Sequence, residues 1–153
     1  MDHKEATLTG MAPAPRMTPA GLLFPAYGSR SAYLSRKDHW RTAAGPRNKW
    51  AASCPPPYEY AIFGDAEDNG WRDDRPHLWG LLAGLPQIGL SGERIAKFPG
   101  ISNAADPWHG YPVSALDPRR EFEHRPKPAL VKRWVAAGLI DEYDGARINR
   151  GKV

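Results

Sequence analysis

The residues best suited to chemistry lie between His109 and His124. A metal-independent ribonuclease needs a general base, a general acid and a cation beside the phosphate, and His109, His124, Arg120 and Glu123 supply these types. If residues 120–124 form a strand, Glu123 and His124 point to opposite faces. A structural role is the alternative: His109 would pack on Trp108 or on the tyrosine two residues later.

Other chemistries have weaker support in the sequence. His109, His124 and a nearby glutamate are possible zinc ligands by type, but they lack any diagnostic spacing. The acidic stretch from Asp65 to Gly70 fails the calcium-loop pattern, because no glutamate closes the loop at its twelfth position. No glycine-rich phosphate loop or dinucleotide fingerprint occurs. The sequence therefore predicts no metal and no cofactor.

A basic and aromatic segment extends from Arg36 to Trp50. Its cations and indoles are Arg36, Lys37, Trp40, Arg41, Arg47, Lys49 and Trp50, with His39 among them. Interleaved cations and aromatic rings suit a nucleic-acid backbone with stacked bases, and a solvated loop with two anchoring tryptophans is the alternative. A second group of cations lies near the C-terminus, at Arg147, Arg150 and Lys152.

Residues 1–33 are predicted to form an extended arm. Four prolines and three glycines interrupt this stretch, so it has no room for a long helix. It nevertheless carries Leu23, Phe24 and Tyr27, which disordered segments seldom contain. We expect these side chains to anchor the arm on a surface, either of its own domain or of a partner.

Residues 34–153 are predicted to form one small, irregular α+β domain of short helices and one or two β-hairpins. Short helices are expected at residues 35–44, 76–83 and 91–98, and a strand at 58–63. The clearest helix is Pro128–Ala137, with proline in its first turn and Gly138 after its end. Asp144-Gly145 then indicates a hairpin turn, which completes a helix-hairpin module at residues 126–153.

Composition narrows the class of protein without fixing an activity. The 153 residues include 16 prolines, 15 glycines and six tryptophans, which favours short elements packed through aromatic rings. The net charge of +4 suits contact with nucleic acid, an acidic protein or anionic lipid. A single cysteine, Cys54, favours a reducing, intracellular compartment. No apolar run reaches the length of a transmembrane helix, and no secretory signal is recognisable.

Taken together, these features favour a non-catalytic subunit over an enzyme. It would dock onto a larger protein or ribonucleoprotein assembly through the arm and its aromatic anchors, and nucleic acid is a possible contact. The first alternative is a small metal-independent nuclease, or toxin-like effector, that uses His109 and His124. The second alternative is an autonomous basic nucleic-acid-binding module.

Overall fold

The chain folds as an α+β domain with two three-stranded antiparallel sheets and three short α-helices among the residues described. A computed structural model describes residues 12–45, 48–116 and 119–153. The strands are β1 (Arg16–Thr18), β2 (Gly21–Phe24), β3 (Tyr33–Arg36), β4 (Leu78–Gly80), β5 (Ile95–Phe98) and β6 (Tyr111–Val113). The helices are α1 (Pro56–Asn69), α2 (Pro128–Ala136) and α3 (Glu142–Asn149), and a 3₁₀ turn spans Lys37–His39. The predicted fold class is confirmed.

The N-terminal sheet has the order β1-β2-β3, with Phe24 opposite Tyr33 in the register. Gly21 permits its close packing, because a Cβ at this position would lie 1.9 Å from the Ser35 carbonyl oxygen. The predicted anchor Phe24 is buried and stacks on Tyr60 of α1, with ring centroids 4.2 Å apart. These residues of the predicted arm thus pack on the domain itself, while residues 1–11 lie outside the described residues.

Helix α1 replaces the strand predicted at residues 58–63, and that prediction is wrong. Pro56 opens the helix, where the missing proline N–H costs nothing because first-turn N–H groups have no partner within the helix. Gly70 closes the helix in the left-handed conformation, with φ 58°. Glu59, Ile62, Phe63 and Ala66 recur at helical spacing and form its buried face. Burial of this face overrides the strand preference of the tyrosines and Phe63.

The central sheet has the order β4-β5-β6 and corrects two further helix predictions. Leu78–Gly80 and Ile95–Phe98 are strands buried along their whole length, not parts of helices. A short apolar run that is buried on both faces shows no alternation, so its sequence does not distinguish strand from helix. The helix predicted at residues 35–44 is also absent: β3 continues to Arg36 and the 3₁₀ turn follows.

The C-terminal module consists of two helices. Helix α2 is confirmed and ends one residue earlier than predicted, at Ala136. The predicted hairpin is wrong, because Asp141 caps helix α3 by accepting a hydrogen bond of 2.8 Å from the Asp144 amide. Gly145 lies inside α3, where a Cβ would come within 3.0 Å of Val135 Cγ2. Close packing on α2, and not a turn, therefore favours glycine at this position.

Aromatic rings of α1 and of both sheets form one core. Tyr33 of β3 stacks on Phe63 of α1 at 4.8 Å, and Phe63 meets the edge of Phe98 in β5 at 5.5 Å. Trp79 and Trp134 are fully buried. Within the described ranges, no helix combines the length and the apolar character that crossing a bilayer requires.

A buried carboxyl fixes α1 against β3. Glu59 is completely buried, and its two oxygens accept hydrogen bonds from the Tyr33 hydroxyl (2.6 Å) and the Ser35 hydroxyl (2.8 Å). Burial raises the pKa of Glu59 to about 8, although both hydrogen bonds oppose the increase. The carboxyl is therefore largely protonated at neutral pH, because ionising it in this dry environment is costly. In the protonated form, the hydroxyl that faces the protonated oxygen accepts the carboxyl hydrogen instead of donating.

We expect Glu59→Gln to remove most of the stability loss between pH 5 and pH 8. The native pKa of about 8 exceeds the ordinary value of 4.5, so the folded state binds more protons in this window. Stability therefore falls as pH rises, by on the order of 3–5 kcal/mol from this one group. Urea unfolding of both proteins across the window measures the difference. Parallel stability curves for the two proteins would contradict this account.

Candidate functional site

The segment from Trp108 to Val113 joins the two sheets and carries two candidate side chains. Trp108 exchanges hydrogen bonds with the N-terminal sheet region, donating to the Ala32 carbonyl (2.9 Å) and accepting from the Leu34 amide (2.7 Å). Beyond Gly110 the chain continues as β6 along β5. Gly110 allows this approach, because a Cβ there would lie 2.1 Å from Phe98 Cδ1. This segment thus holds His109 and Tyr111 on a rigid support.

His39, at the end of the 3₁₀ turn after β3, stacks on the Tyr111 ring. The ring centroids are 4.8 Å apart and the planes are inclined by 28°. His39 Nδ1 lies 2.9 Å from the Asn48 carbonyl oxygen, which can only accept a hydrogen bond. The hydrogen of the neutral imidazole is therefore on Nδ1, and Nε2 keeps its lone pair. The same loop is fixed by a bond from the Trp50 amide to the His39 carbonyl, at 2.9 Å.

His124 meets the same tyrosine ring edge-on. The centroids of His124 and Tyr111 are 6.4 Å apart and their planes are inclined by 66°. His124 ends a turn that is closed by a 2.9 Å bond from its amide to the Arg120 carbonyl. We call His39, His109, Tyr111 and His124 the histidine row. Its members come from three parts of the chain that are far apart in sequence.

All three imidazoles of the row have lowered pKa values. Desolvation is the largest cause for each. Arg36 lowers the pKa of both His39 and His109 further, and Lys97 with Arg120 does so for His124. Asp38 and Glu123 oppose these shifts without cancelling them. The row therefore consists of neutral imidazoles in electropositive surroundings, which suit an anionic ligand.

The guanidinium groups beside the row are accessible to solvent. Arg36 pairs with Asp38 at 2.8 Å and its side chain remains 41% exposed. Arg120 lies 3.4 Å from Glu123 and is 53% exposed. Ion pairs this exposed contribute little stability, so an incoming anion can compete for both cations. Lys97 is held more firmly, because it donates to the Glu123 carbonyl at 3.0 Å and lies over the Trp79 ring.

An open pocket of about 300 Å³ adjoins the His124 end of the row. Asn48, Glu93, Ser114, Arg120 and His124 contribute polar atoms to its lining. Asn48 is fixed there by a bond of 2.8 Å from its side-chain amide to the Pro112 carbonyl. The row therefore opens into a space that has hydrogen-bond donors, a cation, an imidazole and the Glu93 carboxyl group.

The structure brings together two of the site groups that the sequence separates. Arg36, from the basic segment, lies near His39 and His109, and Lys49 lies near His39. Arg120 and Glu123 lie near His124 and Tyr111. Lys49 is itself buried, and its ammonium donates to the Asp38 carbonyl. Glu123 and His124 are neighbours in a turn, so the expected opposition across a strand does not apply.

The remaining predicted binding residues lie elsewhere. Leu23, Phe24 and Tyr27 are half-buried or buried in and beside the N-terminal sheet. Trp40 and Trp50 line a separate pocket, and Lys37 is exposed on the 3₁₀ turn. Arg147 belongs to α3, while Arg150 and Lys152 follow it. Arg47 lies outside the described residues.

Several side chains of the site were not selected as site residues from sequence. Tyr111 looked like a packing partner for His109, and Lys97 and Glu59 fell within elements that were predicted with the wrong type. No local signal identifies them, because their relevance comes from contacts across the sheets. Only His39 carried a usable signal, as the one imidazole of the basic segment.

Comparisons with known proteins found no match to this chain. No family model matches the chain, and no curated protein or solved structure matches it either. Across residues 12–45, 48–116 and 119–153, no three side chains of histidine, cysteine, aspartate or glutamate converge to hold a metal ion.

We expect Arg36→Gln to raise the pKa of both His39 and His109, because one positive charge that disfavours the imidazolium is removed. Titration of the imidazole resonances by NMR measures the change. His77 is an internal control, because its pKa responds to Lys97 and Arg75 and not to Arg36. Arg16→Gln, on the first strand of the same sheet, is the matched charge control. Unchanged titration of His39 and His109 would contradict the proposed electrostatic environment.

Proposed function

We propose that this chain is a metal-independent ribonuclease that binds a single RNA strand across the histidine row. The observation that carries the proposal is the contact of both His39 and His124 with the Tyr111 ring. This contact places two imidazoles against one tyrosine ring, and each of them lies near an arginine, Arg36 for His39 and Arg120 for His124. Cation-lined surfaces bind the phosphate backbone, and imidazoles transfer protons at neutral or slightly acidic pH.

The residues have distinct roles in this proposal. His39 Nε2 takes the proton of a ribose 2′-hydroxyl as its oxygen attacks the adjacent phosphorus. The bond from phosphorus to the 5′-oxygen breaks, and His124, in the fraction of molecules whose imidazole is protonated, gives its proton to that leaving oxygen. The products are a 2′,3′-cyclic phosphate and a free 5′-hydroxyl. Arg36 and Arg120 stabilise the charge that accumulates on the phosphate oxygens.

Tyr111 and the main-chain carbonyl of Asn48 orient the imidazoles of His39 and His124. Tyr111 is held in β6, and its ring fixes the planes of the two imidazoles that it contacts. The Asn48 carbonyl selects the tautomer of His39 that leaves Nε2 as a base. Arg120 contacts the same pocket as His124, so a phosphate there would meet both the cation and the proton donor.

We expect His39→Gln and His124→Gln each to lower kcat for RNA cleavage by about 10²–10⁴-fold, the usual contribution of a general acid or base. His77→Gln is the matched control, because His77 lies outside the row and bonds the Gly100 amide. The substrate is a fluorescent single-stranded RNA, compared with DNA of the same sequence. Cleavage of the DNA, or activity that persists in the double histidine variant, would overturn the proposal.

The pH profile provides a second test of the same mechanism. Cleavage needs neutral His39 and protonated His124 together, and the pKa values of both are lowered from the ordinary 6.5. We therefore expect a bell-shaped rate profile with its maximum on the acid side of that value. A rate that continues to rise through pH 8 would contradict these roles.

A second candidate function is a docking subunit of a larger protein or ribonucleoprotein assembly. The observation that favours it is the exposure of large apolar side chains: Leu116 is 62% exposed, Phe122 80% and Tyr143 69%. Isolated exposed hydrophobic residues are common on monomers, whereas contact surfaces are enriched in aromatic ones. The single thiol, Cys54, suits the reducing intracellular compartment in which such an assembly would form.

Under this second candidate, the endogenous protein would elute from size-exclusion chromatography far above its 17.0 kDa, with constant co-eluting species. Phe122→Asp would release it as a monomer, because a charge would then be buried at the contact. Ala105→Asp, at an exposed position that lies outside the arm and carries no large apolar side chain, is the control and would leave elution unchanged. Elution of the wild type at monomer size would exclude a stable assembly.

A further inference from the structure

Three residues lie side by side across the central sheet, next to the 120–124 turn. Trp79 of β4 is paired with Lys97 of β5, and Lys97 is paired in turn with Tyr111 of β6. Directly opposed residues of neighbouring antiparallel strands point to the same face of a sheet, so these three side chains share one face. This is the face of the central sheet against which His124 packs.

Two adjacent residues of the turn contact two adjacent members of this group. The Lys97 ammonium donates to the Glu123 carbonyl at 3.0 Å, and the His124 ring meets the Tyr111 ring with centroids 6.4 Å apart. Lys97 is 7% exposed, so its ammonium is enclosed between the sheet and the turn. Because each residue adds only two soft dihedral angles to the chain, the bond at Glu123 limits where the next side chain, His124, can lie.

A second cation holds the same segment. Arg75 donates to the carbonyls of Phe122 (2.7 Å) and Arg125 (2.8 Å), and its guanidinium lies 5.0 Å from the centroid of the Trp79 ring. Lys97 lies 5.6 Å from the same centroid. Three main-chain carbonyls between residues 122 and 125 are thus bonded to two cations that share one indole. Hydrogen bonds from charged donors are stronger than neutral ones, so these cations are well suited to fix the turn.

The orientation of the His124 imidazole depends on the placement of this turn. The ring has a hydrogen bond to the Ser114 main chain, and this bond raises the pKa of His124, as a carbonyl that accepts from a ring N–H does. A shift of the turn would lengthen this bond and move the ring relative to Tyr111. Catalytic groups tolerate such displacement poorly, since a misplacement of about 1 Å can cost roughly 10²-fold in rate.

We propose that Lys97 is a positioning residue for His124, and that it acts through its hydrogen bond to the Glu123 carbonyl. This inference rests on the proposed ribonuclease function, in which His124 gives a proton to the leaving oxygen. Lys97 takes no part in making or breaking bonds and does not touch the RNA, because its side chain is enclosed. It holds the turn on the sheet, so that the imidazole keeps one place relative to Tyr111 and Arg120.

Lys97 also acts on His124 through its charge, and this effect is separable from positioning. Lys97 and Arg120 lower the pKa of His124, whereas Glu123 and the main-chain hydrogen bond raise it. We therefore expect Lys97→Met to raise the pKa of His124 and to move the high-pH limb of the rate profile upwards, because that limb follows the loss of its proton. The pKa of His77, which Lys97 also lowers, should rise as well. A role in packing alone would move neither pKa.

The test measures RNA cleavage by the full chain and the contact of His124 with Tyr111. Compared with the wild type, each at its own pH optimum, Lys97→Met should have kcat lowered by about 10- to 100-fold, with KM little changed because the substituted side chain does not touch RNA. In NMR spectra, the nuclear Overhauser effects between the two rings should weaken. Lys132→Met, at an exposed position on α2, is the matched control and should change neither quantity.

Arg120→Gln separates charge from position. It removes the other cation that lowers the pKa of His124, so it should raise that pKa and leave the contact between the two rings intact. Lys97→Gln keeps a neutral donor on a side chain one bond shorter. It should show the changes of Lys97→Met to a smaller degree, and it takes the place of that variant if the methionine protein does not fold. An undiminished kcat in Lys97→Met, or an unchanged ring contact, would overturn the inference.

Failure of this inference and failure of the proposed function give different results. If cleavage depends on His124 but is equally fast in the wild type and in Lys97→Met at their pH optima, positioning fails and the ribonuclease stands. If the wild type cleaves no RNA, the ribonuclease fails, and the ring contact in the Lys97 variants still decides whether Lys97 positions His124. Near-ultraviolet circular dichroism of each variant confirms that its tertiary packing is intact.

Discussion

The arrangement of this domain depends on the hydrogen bonds that the buried Glu59 carboxyl makes. This carboxyl lies on α1, accepts hydrogen bonds from Tyr33 and Ser35 of β3, and so fixes the helix to the N-terminal sheet. The Ser35 hydroxyl also accepts from the Trp40 indole, which extends the network to the loop beyond β3. A buried polar network is favourable only when its members are satisfied, and these bonds meet that condition. Its cost is visible in the raised pKa of Glu59.

The second constraint is the segment that joins the sheets. Trp108 bonds to the main chain on either side of Tyr33, and a few residues later β6 pairs with β5. The loop after β3 then meets this segment from one direction and the 120–124 turn meets it from another. The histidine row forms where they converge. The core rings of Phe63 and Phe98 pack against this segment, at Trp108 and Gly110.

The chemistry of the site follows from this packing. Partial burial and nearby cations both disfavour the imidazolium form, so the row combines neutral bases with a positive surface. A phosphodiester chain has the negative charge that matches this surface.

The sequence by itself determined the α+β class, the aromatic core and helix α2, because proline, glycine and the apolar stripe of that helix are local signals. It also identified His109, His124 and the basic segment as candidates. Only the tertiary structure decided that residues 56–69 are helical, since burial of one helical face overrides the local strand preference. It also decided that Leu78–Gly80 and Ile95–Phe98 are strands, because an apolar run buried on both faces shows no alternation. It likewise decided that His39 and His124 share Tyr111. In the sequence, His39 is about seventy positions from Tyr111 and His124 is thirteen positions from it. No local pattern predicts contacts over such sequence separations.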